Sequence, residues 1–542
     1  VRQNLSLGLD LSTQSITAVL IDIDNKEVVY EKSLDYLADS RLNSFGITEN
    51  YILPPKKPGE AKQPVELYIA AVEAILKDIA SETPGHGIDI RNIRVINSSV
   101  QQHTHIYLNR KARDDFNRLA ARESLKQGSL WDVLSESFAL PFAKTWRTSD
   151  TSNEVDFVRQ KTGGKDKLID ISGSNGPLRF SAFSIRKTAL DYPEQYNQTE
   201  KIHLLSTFMA AILTGKTDLP VDYGNACGFS LMNYREKIWS HELLSAVGED
   251  IIGGSADLLE RLPTISSAKY VGGTIAAYFI DKYGFNPECL VVVGSGDNAQ
   301  SKVMSEGTLL SLGTSLVLMA EFDGRTFDMS GNCSAMYDGL DRPFMFGCRT
   351  NGALQWDTLR ARYGQAKHNY EAAEKALTEI PPGNDGRFFL WQAETESFPL
   401  SPSFDEMRIG YEKSDFKTDY AGLMESTLGI LYLYSKDFIT PSSPVYVTGG
   451  ASKSSGILRR IAAIWKKDVL PVSDGGAALG AAVAGACVLK EQENIKIDEA
   501  GFAASFLQTA PPLKPTDSDI KAYHGEGAFL DKLSRTYANV IE

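Results

Sequence analysis

Cysteine and histidine are scarce in this 542-residue chain, at 5 and 7 residues, and their scarcity narrows the chemistry first. Cys227, Cys289, Cys333, Cys348 and Cys487 are odd in number, far apart and free of any C-x-x-C pair. That pattern excludes a disulfide scaffold and points to a reducing compartment. No group of His and Cys has the spacing of a zinc site. No apolar run reaches the ~18 residues of a membrane span, and the start VRQNLSLGLD lacks the charged-then-apolar order of a secretory leader, so a cytoplasmic protein is expected. Basic residues are also in deficit, 56 Lys and Arg against 69 Asp and Glu, for a net charge of −13. A nucleic-acid surface needs the opposite balance, so neither nucleic acid nor membrane is expected as a partner. An anionic ligand must instead be held locally, by backbone N–H groups, hydroxyls or a metal. The chain also lacks G-x-x-x-x-G-K-[ST] and the H-R-D and D-F-G set, which excludes P-loop and protein-kinase machinery.

What is present describes a large globular protein. Hydrophobic residues make up 42% and charged residues 23%, enough for packed interiors, and the length calls for two large domains. The chain opens with apolar alternation over Leu5–Leu11, a β-branched run over Ile16–Ile23, a break at Asp24, Asn25 and Lys26, and Glu27–Tyr30, which predicts three successive strands. Residues 34–64 have loop composition. Leu67, Ala71, Ala74, Ile75 and Ile79 recur at helical spacing and predict a helix over 65–80. Arg94–Asn97 reads as a buried strand ending on SSVQQHTH, and 110–260 reads as mostly helical.

A second β-rich start appears at Cys289–Val293, followed by Gly307–Glu321 around LGTS. It mirrors the opening around LDLSTQS, so an internal duplication is inferred. The last third has two strand–GG–helix units, VYVTGGAS before a helix at 456–465 and VLPVSDGG before a helix at 477–487, which favour an α/β layered fold. Ala477, Ala478, Gly480, Ala481 and Ala484 let a backbone or a ligand approach that last helix closely.

Three turns, DLSTQS at 10–15, LGTS at 312–315 and TGGAS at 448–452, each follow a strand and offer small residues, hydroxyls and free N–H groups. Such turns hold an anion without net positive charge. Asp10 and Asp297 each close an apolar strand, where a carboxylate is costly unless used or paired. Asp10 suits either a Mg²⁺ site or a turn cap. The stretch VVVGSGDNAQ at 291–300 raises a competing reading, because Gly294-x-Gly296-x-x-Ala299 has the spacing of a dinucleotide-binding turn, with Glu321 further on. Against an oxidoreductase stand Asp297 itself, which would face a pyrophosphate, and the short helix available before Gly307.

Taken in order, LGLDLSTQSITAVLID, SVQQHTHIYL, RFSAFSIRK, VVVGSGDNA, LSLGTS, VTGGAS and DGGAALGAA resemble the FGGY carbohydrate kinases across nearly the whole chain, most closely the eukaryotic-type xylulose kinases. The resemblance implies two α/β domains of the actin-like (sugar kinase/Hsp70/actin, ribonuclease H-like) type around a catalytic cleft, divided here as 1–265 and 266–542. It implies phosphorylation of a sugar hydroxyl by ATP with Mg²⁺, and it leaves a homodimer open.

Matched position by position, Asp297 resembles the catalytic base and also touches substrate, and Asp10 the carboxylate near Mg²⁺. Ser12, Thr13 and Gln14 resemble the first phosphate loop, and Gly313 and Thr314 the second. Gly449, Gly450 and Ala451, with Gly475 and Gly476, resemble the adenosine side. Gln102 and His103 fall at the sugar, and the glycines of GSGD are expected to let sugar and γ-phosphate come close. Three departures bear on substrate. Thr104 replaces the usual Gly after the sugar-site His. The acid of W-x-D is displaced to Asp150, which either reaches the sugar on a longer loop or is a surface residue. Asn225 stands where many relatives have Asp, with Asp222 nearby. A kinase of another ketose or polyol, or a non-catalytic sensor on the same fold, are the alternatives.

Overall fold

A computed structural model of the protein describes all residues except 1–2, 122–127, 367–368, 439–442, 473–475, 508–509 and 542. The chain groups into two compact units, Val1–Met304 with Met336–Pro343 and Gly475–Phe506, and Ser305–Ala335 with Phe344–Asp474 and Leu507–Glu542.

The first unit is built on strands β1 (Leu5–Leu11), β2 (Ser15–Asp22), β3 (Glu27–Asp35), β4 (Ile93–Val100), β5 (Val271–Thr274), β6 (Leu290–Val292) and β7 (Ser295–Gly296), in the order β5-β6-β4-β1-β2-β3 with β7 also paired to β4. β1 is antiparallel to β2 and parallel to β4. Its alternation has a cause on each face. Leu5, Leu7, Leu9 and Leu11 are fully buried in the core that includes the helix Val65–Glu82, α1. Ser6, Gly8 and Asp10 point the other way, toward the helix Gly476–Gln492, α2. Ser6 Oγ donates to the Ala482 carbonyl at 2.6 Å, and Asn97 Nδ2 on β4 to that of Ala481 at 3.0 Å. A Cβ on Gly8 would lie 1.9 Å from the Ala478 carbonyl oxygen. The small residues of α2 therefore serve backbone approach to a sheet.

The second unit repeats the pattern with β8 (Thr308–Leu312), β9 (Leu316–Glu321), β10 (Pro343–Arg349), β11 (Val445–Thr448) and β12 (Val469–Pro471), running β10-β9-β8-β11-β12. β8 is antiparallel to β9 and parallel to β11, β9 is antiparallel to β10, and β11 is parallel to β12. The inferred duplication is thus present as two sheets of one topology, each with a hairpin and parallel neighbours. Its second copy starts later than the sequence suggested. Cys289–Val293 supplies β6 of the first sheet, parallel to β4, so the first unit runs on to Met304 past the expected division at 265/266. The two strand–GG–helix units likewise part company: Ser455–Trp465 packs on β11 and β12, whereas α2 packs on β1.

Candidate active site

The parallel register sets Asp10 opposite Ser99, and Ser99 opposite Ser295, so three strand ends carry one polar row. Ser99 Oγ donates to Asp10 Oδ1 at 2.6 Å. Burial pushes the Asp10 carboxyl up to about 7, against the pull of the Ser99 hydroxyl and with a further push from the Asp297 carboxylate. Asp297 opens the helix Asp297–Val303, α3, directly after β7. Burial pushes it up to about 6, while the Asn298 N–H, 2.8 Å from Oδ1, and its own N–H pull it down. Two acids held in one electrostatic neighbourhood, both raised by desolvation, form a site suited to a proton or a cation. Asn298 Nδ2 joins it to Gln102, donating to Asp297 Oδ1 at 3.1 Å and Gln102 Oε1 at 3.2 Å. Gln102 Nε2 is buried without a partner.

The glycines of GSGD have a packing reason within the protein itself. Gly294 has φ +78°, and a Cβ there would fall 2.1 Å from Ser98 Oγ; one on Gly296 would fall 2.3 Å from Gln102 Cγ. They let β7 close onto β4 and seat Gln102. The dinucleotide reading fails on topology: the strand after α3 belongs to a second sheet and enters an antiparallel hairpin, so no βαβ crossover is formed.

His103 is buried with φ +63° and stacks on Phe180 at 4.7 Å. Its Nδ1 donates to the Gly228 carbonyl at 3.1 Å, which leaves Nε2 as the acceptor of a neutral ring. Burial, helped by the Arg179 charge, holds its pKa down at about 3. Asp150 is not a surface residue: its Oδ1 is buried without a partner. Its charge counters the burial that pulls the Lys144 ammonium down to about 8. Trp146 Nε1 donates to Thr13 Oγ1 at 2.9 Å, and Thr13 Oγ1 in turn to Gln101 Oε1 at 3.1 Å, which anchors the first turn.

In that turn Ser12 N–H closes onto the Ser15 carbonyl at 2.9 Å, Ser12 Oγ bonds the same carbonyl at 3.0 Å, and Gln14 is exposed. With the Thr13 hydroxyl committed, the anion-holding groups left are the backbone N–H groups of Thr13 and Gln14. In the second unit Gly313 N–H closes onto the Ser315 carbonyl at 3.2 Å and Thr314 is exposed. Gly449, at φ +89°, leads into the 3₁₀ turn Gly450–Lys453, which contains Ala451, before the helix Ser455–Trp465. Gly476 begins α2 at φ +58°, and Gly475 lies outside the described residues.

The structure therefore gathers Asp10, Asp297 and Gln102 into one constellation, with His103 adjacent in sequence to Gln102. Sequence reasoning missed Ser99, Ser295 and Asn298, which hold that constellation. It also missed Arg179, whose charge reaches His103. The DNA stretch at 297–299 and the polar end of β4 were the available signals, but only the sheet register shows what they face. Among the described residues no group of three or more His, Cys, Asp or Glu could hold a metal ion unaided.

Residues 124–303 match the N-terminal domain of the FGGY family of carbohydrate kinases. A probable D-xylulose kinase A of Aspergillus flavus is 27% identical over 531 residues, 90% of each chain. Xylulose kinase 2 of Arabidopsis thaliana is 26% identical over 505 residues, 89% of this chain and 86% of that one. The xylulose kinase of Lactobacillus acidophilus superposes with a TM-score of 0.77 at 19% identity, over 98% of this chain and 97% of that one, which shows the fold, two-domain and actin-like. The chain is similar over about 90% of its length to these curated kinases, and it resembles the FGGY family of carbohydrate kinases.

Proposed function

We propose that the protein transfers the terminal phosphoryl group of ATP to a hydroxyl of D-xylulose, giving D-xylulose 5-phosphate. The names of the curated relatives support the sugar. The observation that carries the chemistry is the shared neighbourhood of Asp10 and Asp297 at the ends of the two strands that flank β4, both carboxyls raised by burial.

Asp297 acts as the base. A carboxylate poised near 6 is ionised at neutral pH yet basic enough to take a proton during transfer. The sugar hydroxyl gives its proton to Asp297 as its oxygen bonds the γ-phosphorus and the bond to the ADP oxygen breaks; positioning and charge neutralisation supply most of the rate. Gln102 Nε2, His103 Nε2 and Asp150 Oδ1 are buried or inward-facing groups with capacity for sugar hydroxyls. The N–H groups of Thr13 and Gln14, in the turn that Ser12 closes, and separately that of Thr314, in the turn that Gly313 closes, are assigned to phosphate, and Gly449, Gly450, Ala451 and Gly476 to the adenosine side.

The residues fit a hard divalent cation. Asp10 offers one carboxylate whose burial cost a cation would relieve, and Mg²⁺ takes one or two carboxylates together with phosphate oxygens. Bound there, Mg²⁺ would neutralise charge on the transferring phosphoryl group. A cytoplasmic location is part of the same reading, supported by five free cysteines.

The test is ADP release measured over a panel of pentuloses, hexuloses and polyols. D-xylulose is expected to give the highest kcat/KM, and Asp297→Asn is expected to lower turnover by at least ~10² while ATP affinity stays within a few-fold. No stimulation by any sugar, or parental turnover in Asp297→Asn, would remove this reading.

A further inference from the structure

The stretch Asp222–Gly228, DYGNACG, has no part in the chemistry above, yet it touches that chemistry at both ends. Asp222 is fully buried and caps the short helix Tyr223–Cys227. Its Oδ1 accepts from Asn225 Nδ2 at 2.7 Å, and its Oδ2 from Asn225 N–H at 3.1 Å and from Ser295 Oγ at 2.5 Å. Ser295 lies in β7, two residues before Asp297, opposite the Ser99 that holds Asp10. At the far end of the same helix the Gly228 carbonyl receives His103 Nδ1. The segment is fixed sideways as well: Asn225 Nδ2 also reaches Ser206 Oγ at 2.8 Å, and a Cβ on Gly224 would lie 2.5 Å from the Tyr337 carbonyl oxygen.

A neutral Ser, Thr or Asn would cap so short a helix equally well. A buried carboxylate surrounded by neutral donors is instead costly, and burial pushes this one up to about 6 despite its three hydrogen bonds. What the carboxylate adds over a neutral cap is the capacity to grip Ser295 while both Asn225 donors stay bound.

We propose that Asp222 and Ser295 are positioning residues for Asp297, and that residues 222–228 form a strut fixing the spacing between the Asp297 carboxylate and the His103 ring. The proposal rests on the reading of Asp297 as the base. It places neither Asp222 nor Ser295 in contact with substrate; both act through the strand end that aims Asp297.

The experiment compares Ser295→Ala and Asp222→Asn, each alone and combined with Asp297→Asn, by kcat, by KM for ATP and for D-xylulose, and by thermal midpoint. Each single variant is expected to lower kcat about tenfold to a hundredfold, the scale of a misaimed group, with KM for ATP within about twofold. On the Asp297→Asn background neither is expected to lower the residual rate further. A single-variant kcat within twofold of the parent overturns the proposal. So does a loss carried in full onto the Asp297→Asn background, or a parallel rise in KM for ATP, which marks general disorder. Parental turnover in Asp297→Asn alone is a different result: it removes the base reading, and the strut with it. If Asp222→Asn does not fold, Ser295→Ala, which leaves Asp222 with both Asn225 donors, carries the test.

Discussion

The first hairpins of the two sheets, β1–β2 and β8–β9, are built alike and equipped differently. Leu11 pairs with Ile16 to close one, and Leu312 with Leu316 to close the other. Each turn is sealed by an N–H to a serine carbonyl, Ser12 to Ser15 and Gly313 to Ser315. One residue before the closing pair stands Asp10 in the first hairpin and Ser311 in the second, opposite Ser99 and Thr448 on their parallel neighbours. A duplicated scaffold thus presents a half-buried carboxylate once and a half-buried neutral hydroxyl once. On the function proposed above the difference separates two jobs: a turn of N–H groups holds phosphate by geometry, whereas a carboxylate at that strand position adds charge for a cation. Only the first unit also carries a second acid, Asp297, close enough to raise the first.

The sharpest way to break this asymmetry is Asp10→Ser, which gives the first hairpin the second one's residue. Turnover is expected to fall by ~10² or more, with the Mg²⁺ concentration for half-maximal rate shifted upward, because a metal's charge stabilisation is worth several kcal/mol. Titration of rate against Mg²⁺ at saturating ATP reads both. Parental Mg²⁺ dependence would show that Asp10 is only a turn acid.

The next effect lies two residues back. Gly8 meets the Ala478 carbonyl oxygen at 1.9 Å and the Ala482 nitrogen at 2.6 Å from an ideal Cβ, and backbone atoms cannot rotate away. Gly8→Ala is expected to cost about 1–3 kcal/mol as overpacking, read as a lower urea midpoint. Turnover falls with it, since Asp10 shares the strand and α2 packs on both β1 and α3. Unchanged stability would mean that α2 is free to lift off the sheet.

How much of this was legible beforehand depended on range. β1, β2 and α1 were readable because their apolar period is local. Asp10 and Asp297 stood out because a charge closing an apolar strand is conspicuous in one dimension. The division at 265/266 missed because β6 looks like the start of a repeat by composition; only its parallel pairing with Ile93–Val100 assigns it to the first sheet. The packing role of the GSG glycines was hidden for a related reason: their neighbours, Ser98 and Gln102, lie almost two hundred residues earlier, and no local pattern reveals them. Ser99, Ser295 and Asp222 were invisible as a set, since a register between distant strands joins the first two and a side-chain hydrogen bond joins Asp222 to Ser295.

The two acids should also leave a mark on stability, smaller than the losses above. The Asp297 carboxyl sits near 6 in the folded protein against 3.8 as an ordinary aspartate, so folding favours its protonated form. The associated stability is fully present below about 3.8 and is lost as pH rises through about 6. For a partly solvated group the amount is about 2 kcal/mol. Asp297→Asn, uncharged throughout, is expected to match the parent near pH 4 and exceed its thermal midpoint at pH 7.5, measured without nucleotide or Mg²⁺. A variant less stable than the parent at pH 7.5 would show that the ionised carboxylate is structurally supported rather than strained.

The smallest expected effect belongs to the other hairpin. Ser311 is partly exposed at the place where the first unit puts Asp10, and it carries no charge to desolvate. Ser311→Ala removes one hydroxyl from a strand whose backbone pairing to Val317 and Thr448 is untouched. Stability should therefore stay within about 0.5 kcal/mol, and the Mg²⁺ dependence should not move. If Ser311→Ala shifts the Mg²⁺ requirement as far as Asp10→Ser does, the two hairpins share one job, and the asymmetry between carboxylate and hydroxyl has no functional meaning.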